Sequence, residues 1–451
     1  MRRLFGTDGV RGIANSELST TCAMQIGSAV ATVLSKGNHK DLRVVVGMDT
    51  RISSRMLASA LAAGLCSAGV SVFDLGVVPT PAVAYLVEKY GAMAGVMISA
   101  SHNTYDYNGI KVFGARGFKL PDELEEEIES IVLDNSPEPI LADAERIGRI
   151  AYVKMAAEDY IEYLKSTTDE SLAGMRVAFD CANGSASRTA EKLFRALGVE
   201  CRMLADAPDG ININRGCGST HLESLSRYVL EHHMDCGIAF DGDADRCLAV
   251  DENGKEVDGD IIMAILSKDM KERGRLAKNT VVGTVMSNFG FGKFCEENGL
   301  QFIAAKVGDR YVLEQMQAGG YSFGGEQSGH LIFRDYAKTG DGQLTAVQLL
   351  SHLKRCGKKL SELASVMKKY PQHTVNLRVS PAAKLAFYTD TTVSSVLAEA
   401  EEKLDGCGRI LVRPSGTEPV LRVMVEGEDE NDVRTLAESV AERMKELLSV
   451  Y

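Results

Sequence analysis

Val70-Ser71-Val72-Phe73-Asp74-Leu75 is a short, β-branched apolar run, and the chain on either side of it repeats one plan. Upstream, Met56–Ala68 is rich in Ala and Leu and stops at Gly69, as a helix with a terminal glycine does. Before it, Leu42–Val46 reads as a strand buried on both faces. Downstream, two prolines open a helix over Ala82–Lys89, and Ala94–Ser99 is a third strand. Strands alternating with helices predict a mostly parallel α/β sheet. Pro121 opens a further helix with Leu124, Ile128, Ile131 and Val132 on one stripe, and its Glu125–Glu127 run is expected to face solvent. Asn135–Asp143, with two prolines, reads as a linker and sets a boundary near residue 150.

The pattern then restarts. Arg176–Asp180, Val199–Leu204, Gly237–Phe240 and Leu248–Val250 read as strands, and Ala186–Leu197 as a helix. A third cycle runs from Thr280–Val285 through Phe302–Ala305 to about Tyr370. The end differs: strands at Thr374–Val379, Ile410–Arg413 and Val420–Glu426 accompany helices at Val393–Leu404 and Asp432–Leu448. The expected domains are therefore 1–150, 151–255 and 256–370, three related α/β units with mixed or parallel sheets, and 371–451, a smaller C-terminal α+β unit.

Composition narrows the function classes. A chain of 451 residues with 45% hydrophobic and 25% charged residues has enough apolar mass for several cores. Its net charge of −12 argues against a nucleic-acid partner. The ten cysteines form no Cys-x-x-Cys pair, so neither a zinc site nor a disulfide scaffold is expected. Reduced thiols in a cytoplasmic protein are the expected state, and neither a signal peptide nor an apolar run of membrane-spanning length is evident.

Four segments could carry chemistry. Ser99-Ala100-Ser101-His102-Asn103 follows a strand, where ligands of open α/β sheets bind; Ser101 there is either a nucleophile or phosphoryl carrier, or part of a polar turn. Asp241-Gly242-Asp243-Ala244-Asp245-Arg246 alternates carboxylates with small residues, an all-oxygen set suited to Mg²⁺ or Ca²⁺, or else a solvated acidic turn. An EF-hand is excluded, since Arg246 stands where that loop needs glycine and the flanks are strands. Gly324-Gly325-Glu326-Gln327-Ser328-Gly329-His330 offers polar groups for sugar hydroxyls, or is a plain glycine-rich turn. Arg413-Pro414-Ser415-Gly416-Thr417-Glu418-Pro419 offers a guanidinium, hydroxyls and turn amides for a phosphate, or is an ordinary hairpin turn. Arg11 in a glycine-rich loop, and Lys111, ten residues after Ser101, lie in the same unit as that serine. Walker A and dinucleotide fingerprints are missing, so ATP and NAD are not implied.

The four segments in this order resemble the α-D-phosphohexomutase superfamily over the whole chain. The resemblance implies three related α/β domains and a smaller fourth around a central cleft, and an isomerase that moves a phosphoryl group within a sugar phosphate. It implies Mg²⁺, one per chain, held by Ser101, Asp241, Asp243 and Asp245, and a sugar 1,6-bisphosphate as activator and intermediate. Ser101 would be the phosphoserine, with Arg11 beside it and Lys111, then His330, as proton carriers. Glu326, Ser328, Arg413, Ser415, Gly416 and Thr417 would hold substrate. Gln327, Phe5–Gly12, Val285–Asn288 and Ala305–Tyr311 are similar to the branch that interconverts glucosamine 6-phosphate and glucosamine 1-phosphate, toward UDP-N-acetylglucosamine and the cell wall. Mannose or glucose phosphates, a non-catalytic sugar-phosphate sensor, and a phosphatase are the alternatives. The expected partner is a small-molecule sugar phosphate, with a homodimer the form of any self-association; neither nucleic acid nor membrane is expected. One departure stands out: Thr104 occupies the place after Ser-x-Ser-His-Asn where the superfamily usually has proline, which would restrict Asn103.

Overall fold

A computed structural model describes residues 3–6, 8–35, 42–415 and 419–449. The chain divides into two compact units, Met1–Met286 with Leu300–Val366, and Ser287–Gly299 with Met367–Tyr451.

The first unit holds three sheets. The first is built from β1 (Phe5–Gly6), β2 (Gly9–Ile13), β3 (Arg43–Met48), β4 (Ser71–Val77), β5 (Ala94–Ile98), β6 (Tyr107–Gly114) and β7 (Ile150–Tyr152), in the order β1-β2-β6-β5-β3-β4-β7. Val44 to Met48 and all of β5 are buried, so these strands read as unbroken apolar runs and not as alternation. The expected parallel core is present, since β3 pairs in parallel with β4 and β5. The other half is antiparallel: β5 turns back into β6, which pairs with β2. The sheet also reaches past residue 150, because β7 pairs with β4.

One face is covered by the helices Thr20–Ser35 and Ser54–Ser67. They touch backbone to backbone: a Cβ on Gly27 would lie 2.2 Å from the Leu61 carbonyl oxygen, and one on Gly64 would lie 2.0 Å from that of Met24. The Glu125–Glu127 run is only in part a solvated face. Glu125 is buried and its carboxylate lies 3.3 Å from Arg310 Nη1, because a buried carboxylate needs a charged partner.

The second sheet orders β8 (Arg176–Asp180), β9 (Glu200–Leu204), β10 (Cys236–Phe240), β11 (Cys247–Asp251) and β12 (Glu256–Val257) as β12-β11-β10-β8-β9. The third orders β13 (Thr280–Thr284), β14 (Gln301–Ala305), β15 (Phe323–Gly325) and β16 (Leu331–Phe333) as β14-β13-β15-β16. One device recurs in all three sheets. A strand parallel to its neighbour (β5, β10, β15) ends in a loop and returns antiparallel (β6, β11, β16). Ser101, the three aspartates and Glu326 to His330 lie in these three loops. Among the described residues no helix is long and apolar enough to cross a membrane.

The second unit pairs β17 (Gln372–Arg378), β18 (Arg409–Pro414) and β19 (Val420–Glu426) antiparallel, in the order β17-β19-β18. Helices Thr391–Leu404 and Glu430–Leu448 bury Val393, Val396, Val440 and Met444 against it. The helix Phe289–Glu297 belongs to this unit although it lies within the third cycle of the sequence. Its anchor is Glu426, fully buried, which accepts from Phe289 N (3.1 Å), Asn288 Nδ2 (3.1 Å) and Arg409 Nε (2.5 Å). Glu426→Ala should destabilise this unit by about 3 kcal/mol, since it strands donors that only a buried carboxylate satisfies. Calorimetry should show an earlier transition; an unshifted melt would deny the anchor its role.

Candidate active site

Ser101, within the β5–β6 connection, has a left-handed conformation, φ +53°, as does Ala244 in the aspartate loop at +56°. A non-glycine residue held there is strained, and such strain clusters at functional sites. Two loops thus meet: Ser101 Oγ donates to Asp241 Oδ2 at 2.7 Å, across 140 residues of sequence. The approach depends on Gly242, where a Cβ would stand 2.6 Å from the Ser101 carbonyl oxygen. Gly242→Ala is therefore expected to push the two loops apart, lowering stability by about 1–3 kcal/mol and turnover by roughly a hundredfold. Wild-type turnover in a thermally unchanged variant would refute this close packing.

Asp241, Asp243 and Asp245 are all buried, and one carboxylate oxygen from each lies within 4.8 Å of the others. Among the described residues, Asp243 Oδ1 and Asp245 Oδ1 have no hydrogen-bond partner. Burial, followed by the charges of Asp245 and Asp243, pushes Asp241 well above the usual carboxylate range. Three desolvated carboxylates with unused oxygens fit a hard divalent cation with oxygen ligands, and magnesium suits such a set.

Cationic side chains already close part of this ring. Register pairs Lys111 on β6 with Met97 on β5, which explains how a lysine ten residues after Ser101 comes back beside it. Lys111 Nζ lies 2.9 Å from Asp243, 3.5 Å from Asp245 and 3.0 Å from Asp8. Burial opposes its charge, but Asp243, Asp8 and Asp245 outweigh that and hold its pKa well above the ordinary lysine value. Arg11, paired with Gly109 across β2 and β6, reaches Asp8 at 2.7 Å. His330 Nδ1 lies 3.6 Å from Asp245 Oδ2. Its Nε2 accepts from the Gly340 amide at 3.0 Å.

Glu326 is held as a loop brace, accepting from Gly308 N at 3.1 Å, and burial raises its pKa. Ser328 lies in the same turn, half-buried. In the second unit Arg413, next to last in β18, stands directly opposite Arg422 on β19. Like charges facing each other across strands are unfavourable, and burial and Arg422 together lower the Arg413 pKa; an anion would relieve both effects. Ser415 is buried, its carbonyl accepting from Lys384 Nζ at 2.6 Å. Gly416, Thr417 and Glu418 lie outside the described residues.

Sequence reading missed Asp8, Lys119, Asp309 and Arg246 as members of the same network. Lys119 Nζ bridges Asp8 (2.5 Å) and Asp309 (2.6 Å), and Asp309 lies 3.4 Å from His330 Nε2. Arg246 Nε lies 4.0 Å from Asp241 and 3.9 Å from Asp245. Their available signals were the clustering of Asp8 with Arg11 and of Arg246 with the aspartates.

Comparison with known proteins agrees in every segment. The family models described as phosphoglucomutase/phosphomannomutase alpha/beta/alpha domains I, II and III match residues 2–138, 158–254 and 258–370, and the C-terminal domain model matches 357–443. A protein of Clostridium novyi (strain NT) named phosphoglucosamine mutase is 51% identical over 446 residues, 99% of each chain. A phosphoglucomutase/phosphomannomutase family crystal structure from Burkholderia thailandensis superposes with a TM-score of 0.83 at 24% identity, over 100% of this chain and 98% of that one. An Aspergillus fumigatus N-acetylphosphoglucosamine mutase, solved with GlcNAc-6P and magnesium, has the same fold at 16% identity, with a TM-score of 0.69 over 99% of this chain and 96% of that one. With its four domain models matched in order and a half-identical relative running almost its full length, the chain belongs to the phosphoglucomutase/phosphomannomutase family of isomerases.

Proposed function

We propose that this chain interconverts glucosamine 6-phosphate and glucosamine 1-phosphate through a phosphoserine at Ser101 and a sugar 1,6-bisphosphate. The observation that carries the reading is Ser101 Oγ, 2.7 Å from a carboxylate whose two loop neighbours each keep an oxygen with no hydrogen-bond partner among the described residues. The name of the half-identical relative supports the amino-sugar substrate. Ser101, Asp241, Asp243 and Asp245 would hold magnesium, which supplies charge to offset the oxyanion formed as a phosphoryl group departs.

In the first half-reaction the bond between phosphorus and Ser101 Oγ breaks, and a bond from phosphorus to the substrate's free hydroxyl oxygen forms. The hydroxyl's proton leaves to a base and an equivalent proton is available to the serine oxygen. Lys111 and His330 are assigned to these transfers, with Arg11 beside the transferring group. Lys111 shares Asp243 and Asp245 with the cation position, so engagement of those carboxylates loosens its hold on its own proton. Glu326 and Ser328 meet sugar hydroxyls, and Arg413, Ser415, Gly416 and Thr417 grip the phosphate already on the sugar. The bisphosphate then reverses end for end, and Ser101 recovers the other phosphoryl group.

A coupled isomerase assay tests this directly. Turnover should be highest on glucosamine phosphate, should need Mg²⁺, and should rise with added bisphosphate. Faster turnover on mannose or glucose phosphates would transfer the chain to that alternative substrate class. Release of inorganic phosphate in place of isomer would make it a phosphatase.

A further inference from the structure

The proposed phosphoserine sits on a backbone that two side chains outside the aspartate, sugar and phosphate loops hold in place. Arg51, in the middle of the loop after β3, is 2% exposed. Its Nη2 donates to the carbonyls of Ser101 and Asn103, both at 2.9 Å, and its Nη1 donates to that of Thr104 at 2.8 Å. Asn214 reaches the same loop from the second domain, and its Nδ2 donates to Ser101 O at 2.9 Å and Asn103 O at 2.8 Å. Two carbonyls of one strained loop are thus gripped from two sides. Arg51 spends its charge elsewhere: its Nε lies 2.9 Å from Asp49 Oδ2, with both side chains fully buried. Asp49 in turn accepts from Ser99 Oγ at 2.6 Å, and Ser99 Oγ accepts from Ser101 N at 3.0 Å. The amide and the carbonyl of Ser101 are both fixed through one Asp49–Arg51 pair.

A neutralised guanidinium aimed at carbonyls binds no phosphate; it fixes geometry. A planar fork can meet several acceptors at once, which an ammonium on a flexible stem cannot. We propose that Arg51 and Asn214 are positioning residues for phosphoryl transfer: together they clamp the Ser101 and Asn103 carbonyls, hold Ser101 in its left-handed conformation, and so set the line along which Oγ meets phosphorus. This rests on the phosphoserine reading above. Thr104, where the superfamily's loop usually carries proline, is held by the same fork, so the clamp supplies the restraint that the missing ring would.

The test compares Arg51→Lys and Asn214→Gly with wild type. Lysine keeps the charge beside Asp49 but loses the fork; glycine accommodates the positive φ of position 214 (+58°) and loses the donor without burying a charge against the carbonyls. Each variant should lower kcat roughly ten- to a hundredfold, the scale of a small misplacement of reacting groups, with KM for the sugar phosphate changed less than about threefold. The single-turnover rate of phosphoryl loss from purified phospho-Ser101 protein, given glucosamine 6-phosphate, should fall by the same factor, with Tm near wild type. A purely structural role would show instead as lowered Tm with normal turnover per folded molecule. That result, or a loss confined to KM, would overturn the clamp while the wild type still transferred its phosphoryl group. If the wild type itself transferred none, the phosphoserine reading would fail and the clamp with it. Should Arg51→Lys not fold, Asn214→Gly decides alone.

Discussion

Ser101→Ala leaves a folded protein whose mutase turnover has dropped by on the order of 10⁵- to 10⁶-fold, the scale on which loss of a covalent nucleophile is felt. The fold should survive because alanine makes no greater demand on the φ of +53° than serine does. The structural loss is the Oγ hydrogen bond to Asp241 at 2.7 Å and a long contact, 3.5 Å, with His102 Nδ1, about 1 kcal/mol in all. Circular dichroism and Tm should therefore stay near wild type while intact-mass spectrometry finds no phosphate at position 101. Near-normal turnover in this variant would remove the phosphoserine from the account.

Asp243→Asn carries the second large effect. Asp243 Oδ2 already accepts from Lys111 at 2.9 Å and Thr80 Oγ1 at 2.6 Å, and Oδ1 has no hydrogen-bond partner among the described residues. An amide gives the cation a weaker ligand and leaves Lys111 short of one counter-charge. Magnesium affinity should fall by about a hundredfold or more, beyond the 10–100-fold typical of outer contacts. Turnover at saturating metal should also fall, because Lys111 loses the largest of its stabilising charges. Isothermal titration with Mg²⁺ reads the first effect without any assay of activity. An unchanged titration would move the metal away from this loop.

What the sequence made legible follows from where each signal is stored. The parallel strands were legible because full burial writes itself as Val- and Ile-rich runs, as in β3 and β5. Of the antiparallel returns only β11 was read, at Leu248–Val250; β6 and β16 were not. β6 contains Asn108, Gly109 and Lys111, polar or small residues that burial among charges permits and periodicity does not reveal. The helix Thr20–Ser35 was also missed: Ile26, Val30 and Val33 stand at helical spacing, but Gly27, Ser28, Ala29 and Ala31 are buried too, close against Ser54–Ser67, so no contrasting polar face marks the period. The site loops were legible from residue type and order alone. Their braces were not: Arg51 and Asn214 act on carbonyls 50 to 113 residues away, Asp49 accepts from the Ser99 hydroxyl, and nothing local distinguishes them from surface charge or turn residues. The same holds for Lys119, whose partners Asp8 and Asp309 flank it from opposite ends of the first unit's sequence.

Thr104 illustrates how the structure resolves a local departure. Read alone, the loss of proline loosens the serine loop. In the folded chain the Thr104 carbonyl is held by Arg51 at 2.8 Å, and its hydroxyl donates to Asp106 at 2.6 Å. The restraint comes from hydrogen bonds where a ring would have supplied it.

One phosphoryl group travels from protein to sugar in the proposed reaction. Protein phosphorylated at Ser101 and freed of bisphosphate should be mixed with an equimolar amount of glucosamine 6-phosphate and Mg²⁺, then quenched within one turnover. The predicted result is a loss of phosphate from Ser101 matched, mole for mole, by glucosamine 1,6-bisphosphate. Isomer formed while the label stayed on Ser101, or label released as inorganic phosphate, would contradict it.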